Sequence, residues 1–127
     1  MSPVPSPTPN SAPRAIATDA LVKPAQSLPL AALVSATDAD GDEIIRWAIV
    51  DRTGGLSGHL TLDGEAVAPG AYFEFSAEQL GDVRFVGGTP WSFDFLEIRA
   101  FDGEAWSEPD GFRITTLGSF GTSGFIF

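Results

Sequence analysis

The chain has 127 residues, 43% apolar and 19% charged, with a formal net charge of −10 and no cysteine. That is enough for one domain with a hydrophobic core and too few for two. The charge speaks against nucleic acid and anionic membranes, which would repel it; the missing cysteines exclude disulfides and thiolate metal sites; and no apolar run reaches membrane-spanning length.

Residues 1–13, MSPVPSPTPNSAP, hold five of the ten prolines. Proline at this density cannot build a ladder or a helix, so the segment reads as an extended polyproline II linker. A linker implies neighbouring modules of the same chain. No basic stretch followed by an apolar one opens the chain, so an export signal is expected to lie outside it.

From Arg14 the pattern changes to period two, and residues 14–117 read as one β-sandwich module. Leu28, Leu30, Ala32, Val34 and Ala36 fall on one face of a strand, as do Ile45, Trp47 and Ile49 of the next. Leu60 and Leu62 alternate with polar residues and run into Asp63-Gly64, a strong hairpin turn. Tyr72–Phe75 is a short aromatic strand, Val83 and Phe85 mark another, and Leu96, Ile98 and Ala100 a further one. Phe112 and Ile114 belong to the last. The one helical candidate is Ser76–Leu80, a single turn that Ser76 can cap. About seven or eight short strands separated by turns are the pattern of an all-β sandwich. Residues 118–127 are glycine-rich with Phe120, Phe125, Ile126 and Phe127, and read either as a last strand or as the start of the next linker.

Asp38, Asp40 and Asp42 fall between the second and third predicted strands. Three like charges in five residues repel one another, and a hard cation relieves this. Calcium takes six to eight oxygen ligands in flexible geometry, and Gly41 lets the backbone turn so that the carboxylates converge. The loop is not an EF-hand. Counted from Asp38, position six is Glu43 instead of glycine, position twelve is Ile49 instead of glutamate, and a strand follows. By itself the run is also compatible with an ordinary solvated turn. Asp102-Gly103 lies between the last two strands. In an immunoglobulin-like sandwich that loop shares one end with the loop between strands two and three, and the chain enters there. Asn10 is expected at the same end.

On these motifs the chain resembles cadherin repeats. VSATDADGDEIIRWAIV looks like their strand–loop–strand around a DxD motif, and LEIRAFDGEAWSEPDGFRIT like their closing A-x-D-G segment. Asn10-Ser11-Ala12-Pro13 looks like the N-x-A-P entry of the cadherin-like repeats of large bacterial RTX-type and cell-surface adhesin proteins. The resemblance spans Asn10 to Thr116. It implies an immunoglobulin-like or cadherin-like sandwich with a junctional calcium site, to which Asp38 and Asp40 (DxD), Asp102 (later loop) and Asn10 (linker) carry over as ligands; the charge pattern adds Asp42. Two features of the family are missing. Asp19 is the nearest acid to the first-strand glutamate, and the second glutamate motif has no counterpart, so one or two ions are expected. Affinity in the isolated module should be weak, roughly 10⁻⁴–10⁻³ M.

Trp47 reads as core. Trp91 and Trp106 lie in or near loops, where they either plug the ends of the sandwich or stack on sugars. His59 stands alone, which disfavours zinc, and Ser57 lacks a nucleophile elbow. The acids group in one loop and do not face each other across a cleft, so no enzyme is expected. The leading expectation is a non-catalytic, calcium-stabilised structural or adhesion repeat of a larger secreted or cell-surface bacterial protein, meeting neighbouring modules and a surface protein or glycan. The alternatives are a carbohydrate- or ligand-binding sandwich attached to a secreted enzyme, and a metal-free spacer.

Overall fold

A computed structural model describes residues 11–53 and 57–118. Asn10, the rest of the linker before it, and residues 119–127 of the tail lie outside the described residues. The architecture is all-β and sandwich-like. A five-stranded sheet has the order β2-β11-β10-β5-β8, a four-stranded sheet the order β3-β9-β6-β7, and β1 pairs with β4. The strands are β1 (Arg14–Ala17), β2 (Ala20–Val22), β3 (Ser27–Pro29), β4 (Val34–Thr37), β5 (Arg46–Asp51), β6 (His59–Leu62), β7 (Glu65–Ala66), β8 (Phe73–Ser76), β9 (Val83–Val86), β10 (Ser92–Phe101) and β11 (Asp110–Thr116). All pairings are antiparallel except that of β11 with β2.

Period two builds the core. On β10, Leu96, Ile98 and Ala100 are fully buried, while Phe93 and Phe95, of opposite parity, are exposed. Phe112 and Ile114 of β11, Trp47 and Ile49 of β5, Phe75 of β8, and Val83 and Phe85 of β9 join them in one cluster. Trp47 is therefore core, as its strand position predicts.

The continuous strand expected over residues 28–36 is divided. Leu30–Ala32 forms a 3-10 turn between β3 and β4, and those two strands pair in different sheets. Pro29, with no N–H to donate, ends β3. Divisions of this kind make more and shorter strands than the seven or eight expected. Ile45 precedes β5 and is exposed; its intended face begins only at Trp47. Asp63-Gly64 turns β6 into β7 with both residues at positive φ, as a two-residue hairpin of this type requires. Ser76 caps a 3-10 segment, Ala77–Asp82, one residue longer than the predicted turn. Its hydroxyl accepts from Gln79 N–H, and the Gln79 side chain accepts from Ser76 N–H.

Candidate functional sites at the two ends of the sandwich

The aspartate loop leaves β4 at Thr37 and enters β5 at Arg46. Asp38 organises it. Its Oδ1 accepts from Asp40 N–H at 2.8 Å and Asp42 N–H at 3.2 Å, and its carbonyl accepts from Gly41 N–H at 3.0 Å. Gly41 sits at φ 76°, in the left-handed region where a side chain would be strained. This winding draws carboxylate oxygens of Asp38, Asp40 and Asp42 to within 4.8 Å of one another. Two oxygens bound to one calcium can be at most about 5.2 Å apart, twice the upper Ca–O distance, so the three fit a common ion. Asp38 Oδ2 is buried and has no hydrogen-bond partner among the described residues. A buried carboxylate oxygen left without a donor is costly, and the group of three could hold a metal ion.

Asp102 does reach this end. Ile45 N–H donates to the carbonyl of Phe101 at 2.9 Å, so the two loops run side by side. Asp102 is buried, and its Oδ1 accepts from Glu104 and Ala105 N–H at 2.9 and 2.8 Å. It stands outside the group of three converging carboxylates. Its charge is nevertheless felt there: the Asp42 carboxyl is held above its usual range by loss of hydration and then by the charges of Asp38, Asp102 and Asp40. The N-terminal approach is also tied in, because Ser11 N–H donates to Asp40 Oδ2 at 2.7 Å. Asp19 serves elsewhere, accepting from Arg113 N–H in β11 at 2.8 Å.

A second acidic pair, outside the loop, lies at the opposite end and meets about the Thr53 hydroxyl. Asp51 and Asp94, at the end of β5 and early in β10, are both buried. Asp94 Oδ1 accepts from Gly58 N–H at 2.8 Å, and its Oδ2 lies 3.2 Å from Thr53 Oγ1. Asp51 Oδ1 lies 2.5 Å from the same hydroxyl and accepts from Thr53 N–H at 3.0 Å. Thr53 has a single hydroxyl hydrogen and also accepts from Phe95 N–H at 3.2 Å. The two carboxylates thus share one hydroxyl, beside the separate backbone N–H bond that each accepts. Burial, the hydrogen bond to Asp51 and its negative charge push the Asp94 carboxyl up to about 6, against the opposing bonds from Ser57 and Gly58. The signal was readable: Asp94 has the core parity of Leu96 and Ile98, and Asp51 that of Trp47 and Ile49. His59 and Asp51 line a surface groove of about 460 Å³ with otherwise largely aliphatic walls.

Trp91 is exposed at the start of β10, whereas Trp106 packs on Phe101 with ring centroids 4.9 Å apart and lies under the Arg99 guanidinium. Among the described residues, no helix is long and apolar enough to cross a membrane. No protein-family model matches the chain, and no curated protein is detectably similar to it in sequence.

Proposed function

We propose that the protein is a non-catalytic, calcium-stabilised module of the immunoglobulin-like or cadherin-like type, a structural or adhesion repeat of a larger secreted or cell-surface protein. The observation that carries this reading is the buried Oδ2 of Asp38, without a partner among the described residues, within a group of three converging carboxylates. Carboxylate oxygens are hard donors and suit calcium in place of softer metals. Calcium would neutralise the loop and fix the direction in which the chain enters, since Ser11 already binds Asp40. Neighbouring modules of the same chain would supply further ligands, with Asn10 and Asp102 as this module's own additions.

Thermal melting with and without calcium tests the reading. A site filled at ten times its dissociation constant adds about 1.4 kcal/mol. Asp42→Asn separates metal binding from mere folding. Its side chain is repelled by its neighbours, so the variant should melt higher than wild type without calcium and gain less when calcium is added. A wild-type melting curve unmoved by millimolar calcium would sink the proposal and leave a metal-free spacer.

A further inference from the structure

β2 is the outermost strand on one side of the five-stranded sheet. The direction of its backbone groups follows from its bonds. The Val22 carbonyl accepts from Leu117 N–H at 2.7 Å, on the side of β11, and Ala20 shares its parity. Successive residues of a strand turn their N–H and C=O groups to opposite sides. Leu21 therefore points both groups away from β11, and neither is hydrogen-bonded among the described residues. Its side chain is 65% exposed, more than any other large apolar residue described. An open edge of this kind is a template for a further strand. The opposite edge of the sheet, β8, is defended: the Gln79 side chain takes Ser76 N–H at 2.9 Å, and Glu74 is exposed on it.

The sequence about Leu21 is complementary to itself. In an antiparallel pair of β2 strands centred on Leu21, position 20 faces position 22 and position 19 faces position 23. The run Asp19-Ala20-Leu21-Val22-Lys23 then sets Asp19 of each copy opposite Lys23 of the other. By alternation both share a sheet face with Leu21, and opposite charges directly across a strand pair stabilise it. Lys23, the chain's one lysine, forms no ion pair among the described residues. Asp19 uses only Oδ1, which accepts from Arg113 N–H at 2.8 Å.

We propose that the protein pairs with a second copy of itself through β2. A two-fold axis passes between the two Leu21 residues. Each Leu21 N–H donates to the other's carbonyl, the two side chains meet, and the Asp19–Lys23 pair forms twice. Such an interface is closed, because the same patch serves on both copies. The net charge of −10 does not prevent this, because of where the charge lies. Ten of the 17 acidic residues, and no basic one, occupy the loops 38–45, 63–64, 77–82 and 102–109 at one end of the sandwich. Leu21 lies level with Thr115 and Phe93, near the other end. Phe101, where β10 reaches the acidic end, is about 26 Å further along, against a screening length of about 8 Å. An antiparallel pair sends the two acidic ends in opposite directions. The turns that come together, 23–26 and 87–91, contain no acid. So short an edge buries little area, and the dimer is a weak one that forms at about 0.1 mM and above. The calcium site takes no part in it.

Sedimentation velocity of the whole chain from about 10 µM to about 1 mM, in calcium-free buffer at physiological salt, is the test. Wild type should pass from monomer to dimer. Leu21→Pro should stay monomeric with melting close to wild type, since the N–H it removes faces away from β11. Asp19→Lys and Lys23→Asp should each set like charges across the strands and weaken the dimer about tenfold. Non-specific repulsion predicts otherwise, because Asp19→Lys lowers the net negative charge and would favour association. Mixing the two single variants, or combining them in one chain, restores opposite charges across the strands and should restore the dimer. The proposal is overturned if wild type stays monomeric at about 1 mM, which would leave the edge to a strand of another protein. It is equally overturned if Leu21→Pro or either charge variant associates as wild type does, or if the mixture forms no more dimer than the single variants.

Discussion

Raising the pH should weaken this fold through Asp94, the reverse of the usual carboxylate effect. Most acidic groups in native proteins gain partners that favour their charged form, so stability grows as they ionise. Asp94 is fully buried beside Asp51. Its carboxyl is raised from an ordinary 3.8 to about 6. Between those two values the folded protein keeps a proton that the unfolded chain has released. The stabilisation is therefore complete below about 3.8 and is lost as the pH climbs through about 6. At about 1.4 kcal/mol per pH unit, the full span is about 3 kcal/mol. Coupling to Asp51 and screening at this end of the sandwich bring that to about 1–2 kcal/mol. In melting temperature this is about 4–8 °C for a domain of this size. The variant to compare is Asp94→Asn, whose amide can still accept from Gly58 N–H and donate towards Asp51 and Thr53 without ionising. Melting followed by circular dichroism from pH 4 to 8 should show the variant gaining on wild type as pH rises and overtaking it at neutral pH. Groups remote from the pair are common to both proteins and cancel in the difference. Parallel curves for the two proteins would refute the raised Asp94 carboxyl.

Two further outcomes follow from packing. Gly58→Ala places a methyl group against the Phe85 ring and the Val86 carbonyl oxygen, where there is no room; it should cost about 1–3 kcal/mol, seen as a lower urea midpoint at unchanged slope. Ser107 is fully buried, and its hydroxyl accepts from Ala100 N–H and donates to the Glu108 carbonyl, each at 2.9 Å. Ser107→Ala strands both groups and should cost about 1–3 kcal/mol; a melting temperature equal to wild type would show that the pair is re-satisfied.

The sequence carried the all-β class, because period two is a property of the strand itself. Leu96, Ile98 and Ala100, or Phe112 and Ile114, point to one side wherever the strand is placed. It also carried the Asp63-Gly64 hairpin, the Ser76 cap and the closeness of Asp38, Asp40 and Asp42, since each depends on residues within a few positions. Boundaries were less legible. The run from Leu28 to Ala36 keeps its alternation, yet it breaks because β3 and β4 must join different sheets.

Only the tertiary structure set Asp51 against Asp94, 43 residues apart, with the Thr53 hydroxyl between them. Only it showed that Asp38 buries one carboxylate oxygen without a donor among the described residues, and that Asp102 approaches Asp42 while using its own Oδ1 to bind the backbone. It likewise laid the Phe95 ring over Gly111. The physical reason is common to all of these. Alternation and turn chemistry act between near neighbours, whereas burial, charge proximity and ring stacking depend on which strands become neighbours in the folded sheets, and that is decided by the packing of the whole core.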